Sequence, residues 1–249
     1  MIAIRLKFGI AACAVLACAA VVPREARAAG GAYVVDTADV GDPGDCKVES
    51  WLSSSSYRDM IASTSPTCVL GFPKPFDKPV EASVQIQRTR FDQEWGTSFT
   101  PKLKTNLVPT AIGSWGVAVS GQASYDGITG ENTALAATIP ATLRLSNVVR
   151  VNLNGGWQWD RIADQHYFTY GAGADWRTPD NVWTVTAEVF GQLGSPQDTH
   201  SLVQPRFQLG LRWRPVDEFN IDLIYGRNIA GENANWLTLA TTFRFSAGK

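Results

Sequence analysis

Basic side chains recur at every second position in several stretches of this chain: Lys102 with Lys104, and Arg212 with Arg214. Arg150 and Arg206 stand in similarly alternating surroundings. On an extended strand this spacing puts the cations on one face. That face also carries Glu188, Asp222 and amides such as Gln85, Asn152, Asn154 and Gln208. Fixed positive charges among polar groups could line a water-filled passage that favours anionic or polar solutes. The same groups could instead pair with one another and fill the interior. Barrels of about eight strands are filled and those of about sixteen or more leave a channel, so the pattern leaves both open.

A further alternative, an outer-membrane lipid-modifying enzyme, needs a nucleophile and a base at the lipid interface and finds little support. His166 and His200 are the two histidines. His200 lies near Ser195, Asp198 and Ser201, but adjacent residues of a strand point to opposite faces, which does not suit a triad with Ser201. No nucleophile elbow, zinc-protease motif, phosphate loop or dinucleotide fingerprint occurs. The reading is of no enzyme, no catalytic residue, no metal site and no cofactor. A formal net charge of −1 argues against a nucleic-acid partner that works by phosphate neutralisation.

These side chains need elements to position them. Residues 1–28 read as a cleaved secretory signal: Arg5 and Lys7, an apolar run from Phe8 to Val22, then Ala26-Arg27-Ala28. Val15-Leu16-Ala17-Cys18 also offers a lipoprotein reading for Cys18. Residues 29–45 have no clear period. Tyr33 to Ala38 loosely resembles the energy-coupling box of large transporters, whose barrels of about twenty-two strands this chain is too short to build.

From residue 46 to 245 the dominant period is two, as in Val149-Arg150-Val151-Asn152-Leu153-Asn154 and Phe207-Gln208-Leu209-Gly210-Leu211-Arg212. About twelve strands of nine or more residues are expected, separated by turn signals such as Asp126-Gly127 and Thr178-Pro179-Asp180-Asn181. That length suits a tilted strand crossing a bilayer. Aromatics gather near strand ends: Trp115, Trp176, Trp183, Trp213 and Phe245 at one rim, Trp157 and Trp159 towards the other. Two aromatic girdles around small and aliphatic strand centres are what membrane interfaces favour. The fold expected is therefore all-β, an antiparallel up-and-down transmembrane barrel over 46–245, with 246–249 as a tail. Its apolar face would meet lipid. Cys46 and Cys68 remain after signal cleavage, at one end of the first hairpin, where a disulfide is geometrically reasonable.

With these residues in hand, the chain resembles outer-membrane β-barrels of Gram-negative bacteria, which reach that membrane after export to the periplasm. The closing stretch Asn235 to Phe245 resembles the C-terminal signal read by the barrel-assembly machinery, except that Ser246 to Lys249 follow the Phe. The last third, Leu211-Arg212-Trp213-Arg214-Pro215 through Asn235-Trp236, is similar to transporter barrels of the meta-pathway phenol-degradation family. That resemblance implies passage of small solutes across the outer membrane and supplies no site residues.

Overall fold

Stretches of period two form strands because a pleated backbone gives them one apolar and one polar face. The computed structural model describes residues 32–74, 77–91, 93–194, 202–229 and 234–246. The signal segment, Cys18 and His200 lie outside these. Among the described residues twelve strands follow in chain order: β1 (Asp45–Ser55), β2 (Met60–Leu70), β3 (Val80–Phe91), β4 (Glu94–Val108), β5 (Trp115–Asp126), β6 (Asn132–Arg144), β7 (Val149–Asp160), β8 (Gln165–Arg177), β9 (Trp183–Leu193), β10 (Leu202–Val216), β11 (Phe219–Asn228) and β12 (Asn235–Ser246). Each pairs antiparallel with the next, and β12 pairs with β1 to close a barrel. Closure leaves no sheet edge unpaired, which a lipid environment demands.

An even strand number brings the start of β1 and the end of β12 to one rim, here termed the terminal rim. The connections that follow even-numbered strands share it, and those that follow odd-numbered strands form the distal rim. Cys46 and Cys68 stand opposite each other in the β1–β2 register and are disulfide-bonded. Closing a loop of sequence separation 22 stabilises the fold by about 3 kcal/mol in the chain-entropy account.

Two strands run through a proline. β2 continues past Pro66 to Leu70. Pro66 keeps its place opposite Val48, while pairing with β3 lapses between Thr64 and Thr67. A residue without an N–H is tolerated where the ladder is interrupted. β10 likewise runs through Pro215, with a register shift between Trp213 and Val216.

Burial fixes which face points where. On β12, Leu239 is 54% exposed while its neighbours Thr238 and Ala240 are 3% and 4% exposed. Leu209 and Leu223 are exposed in the same way, and Gln208 and Asp222 beside them are buried. Aliphatic side chains therefore cover the outside and polar ones the inside, the inverse of a soluble sandwich. Trp115, Trp176, Trp183, Trp213 and Phe245 all lie exposed at the terminal rim, and Trp183 stacks on Trp213 at 6.3 Å. Trp157 and Trp159 lie near the distal end of β7.

Candidate functional site

The strand faces that turn inward carry a network of charge-assisted hydrogen bonds. Arg212 donates to Asp222 at 2.7 Å, and Asn220 donates to the same carboxylate at 2.6 Å. Asp175 accepts from Arg150, from Asn152 and from Thr186. Gln208 donates to Glu188 at 2.6 Å. Side chains this deeply enclosed need partners, because an unpaired charge in a confined site is costly.

The lumen also holds part of the chain that the strands do not account for. Residues 32–44 leave β1 at the terminal rim and run inside the barrel. Gly44 N donates to the Val69 carbonyl at 2.9 Å, anchoring the segment beside the disulfide. The Asp39 carboxylate accepts from Arg144 and Arg150, each at 3.2 Å. Ala38, fully buried, donates its N–H to Thr142 at 2.9 Å and accepts from Asn106 at 2.7 Å. Asp36 pairs with Lys102 at 2.6 Å and Lys104 at 3.0 Å. Asn154, with its amide turned to suit its neighbours, donates to the Asp36 carbonyl and accepts from the Asp36 N–H. Val34 N donates to Glu188 at 3.0 Å, and the Tyr33 hydroxyl donates to Asp222 at 3.2 Å.

These partners belong to β4, β6, β7, β9 and β11, so the segment crosses from one wall to another. The strands leave room for it at glycines. A Cβ at Gly171 would stand 2.9 Å from the Val35 side chain, and one at Gly210 would stand 2.2 Å from the Tyr33 oxygen. Burial alone would push the Asp36 carboxyl up, but Lys102 and Lys104 more than offset it and hold the group far below the ordinary carboxylate range. The segment is thus anchored as an anion on fixed cations.

A cavity of about 510 Å³ remains on the terminal-rim side of the segment, with Ala32, Asp36 and Asp39 on its wall. Arg144, Arg177, Arg212, Arg214 and Arg244 also line it. Among the described residues no carboxylate stands within ion-pair distance of Arg177 or Arg244. Arg214 lies 4.0 Å from Asp217, which is itself almost fully in solvent. The Arg244 Nη1 is buried without a hydrogen-bond partner. Carboxylates line the cavity too, among them Asp36, Asp39, Glu49, Glu81, Asp175 and Glu188, so its wall is of mixed charge, and Arg177 and Arg244 are the lining arginines with no close carboxylate among the described residues.

The residues expected to line the lumen do face inward, but they do different things. Lys102, Lys104 and Arg150 hold the N-terminal segment, and Glu188 and Asp222 hold Val34 and Tyr33. Arg214 lines the cavity. Arg212 does so too while its guanidinium lies over the Tyr33 ring at 5.5 Å. Arg206 sits on the distal half of β10, in register with Phe190 of β9 and Asn228 of β11. Sequence reasoning missed Tyr33, Asp36 and Asp39. It also missed apolar side chains inside the barrel: Trp51, Phe190 and Ile224 are buried, and Trp236 packs over Gly226. The register partner Gly226↔Trp236 carried the signal, since a glycine opposite an indole makes room for it.

His166 is placed on the outer surface at the distal rim. Its ring stacks on Trp157 at 5.6 Å and on Trp159 at 5.7 Å. Among the described residues it bonds to no serine or carboxylate, so it lacks the partners a general base needs.

A closed antiparallel barrel of twelve strands, apolar outside and polar inside, defines a transmembrane β-barrel of the outer-membrane type. The chain belongs to the family described as uncharacterised conserved protein UCP029691, which matches residues 17–245. No curated protein sequence matches it. Solved structures similar in fold include the KdgM porin, with a TM-score of 0.58 at 8% identity over 80% of this chain and 99% of that one. A KdgM structure in complex with disordered oligogalacturonate aligns equally well. An outer membrane channel from Pseudomonas putida F1 aligns with a TM-score of 0.56 at 12% identity, covering 84% of this chain and 98% of the other. Outer membrane phospholipase A from Escherichia coli aligns with a TM-score of 0.51 at 9% identity, over 81% and 90%.

Proposed function

We propose that this barrel gives passive passage across the outer membrane to small anionic solutes, and that residues 32–44 keep the route narrow until they move aside. The observation that carries this reading is that Arg177, Arg214 and Arg244 line a cavity of mixed charge, yet among the described residues have no close carboxylate apart from the solvent-exposed Asp217. In a confined, weakly screened space fixed cations raise the local concentration of anions. Lys102, Lys104, Arg144 and Arg150 are engaged by Asp36 and Asp39, so the segment's carboxylates stand where the anionic groups of a solute would stand. The oligogalacturonate of the KdgM complex is a polyanion in a barrel of the same fold, which supports the solute class.

The terminal rim faces the periplasm in this reading, because an exported chain reaches the membrane from that side and leaves both ends there. Residues 1–28 serve as the export signal, and β12 presents the closing signal to the barrel-assembly machinery. Outer-membrane lipid covers the aliphatic band between the aromatic girdles. No catalysis forms part of this reading, in which His166 stacks on Trp157 and Trp159 at the distal rim.

A second reading, a closed barrel that stabilises the envelope, is favoured by the number of strands that grip residues 32–44. Planar-bilayer recordings separate the two. Anion-selective conductance from the native chain, or from an Asp36→Ala/Asp39→Ala variant, supports passage. No conductance above baseline from either leaves the closed barrel.

A further inference from the structure

Charge on the lipid-facing side of a membrane barrel is costly except near the interfaces. The outer face of β3 nevertheless carries two arginines. Val84, Ile86, Arg88 and Arg90 alternate outward along the strand, while Gln85 between them is buried in the lumen. Val84 and Ile86 are exposed aliphatics of the apolar band, and Arg88 and Arg90 follow them at the distal end. Trp95 stands directly opposite Arg90 in the β3–β4 register. Both guanidiniums approach its ring, Arg88 at 5.2 Å and Arg90 at 5.9 Å from the centroid. Arg90 is further fixed by donating to the Arg58 carbonyl at 2.9 Å. Among the described residues no carboxylate lies within ion-pair distance of either guanidinium. The outward positions at the terminal rim carry Trp115, Trp176, Trp183, Trp213, Phe243 and Phe245 instead.

We infer that Arg88, Arg90 and Trp95 form a binding site for the phosphate of a lipid in the membrane leaflet at the distal rim. Two like charges side by side repel and are partly desolvated, and a shared anion relieves both costs. Both guanidinium carbons lie over the indole, and the N–H groups other than the one that reaches the Arg58 carbonyl are donors of the kind phosphate oxygens accept from. Directly beneath in register, Ile86 faces Phe99, and both are exposed. This apolar strip suits acyl chains that hang from the bound headgroup, whereas a free phosphate ion would gain nothing from it. The chemistry selects an anionic amphiphile over a soluble anion.

The test uses the full barrel, reconstituted in phosphatidylcholine vesicles with diphosphorylated lipid A, then repurified, with retained lipid measured by mass spectrometry. Lipid A should copurify with the native chain and fall about tenfold in Arg88→Gln/Arg90→Gln, the loss of one charge-assisted contact pair. Lipid A stripped of its phosphates should be retained at the level of the variant. Inorganic phosphate should not displace the bound lipid. Equal retention by variant and native chain, equal retention of the stripped lipid, or complete displacement by inorganic phosphate would each overturn the assignment. Should the double variant fail to migrate as a folded barrel on an unheated gel, Arg88→Gln alone, at an exposed position, gives the same reading with a smaller loss.

Discussion

The phenol of Tyr33 lies against the bare α-carbon of Gly210, so close that a methyl group there would stand 2.2 Å from its oxygen. A strand residue of β10 and a residue of the luminal segment are thus fitted to each other. Gly210→Ala should push Tyr33 away from Asp222, because the far end of a side chain yields more readily than the sheet. Raised single-channel conductance in a barrel that still migrates as folded is the expected outcome. Unchanged conductance would mean that Tyr33 does not help to hold the segment.

Asp36→Ala removes the carboxylate that Lys102 and Lys104 share, although Lys104 keeps the Thr37 carbonyl at 3.4 Å and Glu81 at 3.4 Å. Breaking an enclosed pair of this kind costs about 3 kcal/mol. That would raise the population of displaced segment on the order of a hundredfold. Bilayer recordings should show longer open times and a reversal potential moved further towards anions, since two cations are uncovered.

Acidity acts on the same carboxylate with a definite sign. The Asp36 group is held far below its ordinary value of ~3.9, so its contribution is complete above that value and is lost as pH falls through its own lower one. Conductance should therefore stay level between neutral pH and about pH 5, and rise only below ~3.9. A rise on mild acidification would assign control of the segment to another group.

The arginines divide into two classes that selectivity measurements can separate. Arg214→Ala/Arg244→Ala should shift the reversal potential towards cations with little effect on unfolding, because among the described residues Arg244 has no close carboxylate to abandon and Arg214 has the solvent-exposed Asp217 at 4.0 Å. Arg212→Ala should shift it too, but at a stability cost of about 3 kcal/mol in denaturant unfolding, since Asp222 is 1% exposed and loses its guanidinium. Arg206→Ala/Arg212→Ala together test whether the deeper cations add to selectivity.

The wall of the barrel was legible in the sequence because each strand writes its environment in every second residue. Alternation sets Leu209 and Leu223 on one face and Gln208 and Asp222 on the other, the aromatic rims at Trp183 and Trp213 and the length of the strands turn the first face outward, and the pairing of Cys46 with Cys68 follows from an even pair at one end of the first hairpin of an exported chain. Residues 32–44 were not legible, because their partners are single side chains on separate strands and impose no repeat on the segment. Asp36 and Asp39 look like any polar residues of a loop until Lys102, Lys104, Arg144 and Arg150 are brought around them. The continuation of β2 through Pro66 was hidden for a related reason: proline usually ends a strand, and only the lapse of the β2–β3 ladder there makes it tolerable.

The disulfide of β1 and β2 sits beside the point where Gly44 turns into the barrel, so the obstructing peptide departs from a covalently stapled root. Whatever dislodges it leaves it on a short leash of about a dozen residues, at an effective concentration in the millimolar range. Reclosure is then a first-order event, indifferent to how many copies the cell makes. Each molecule carries its own stopper and cannot lose it.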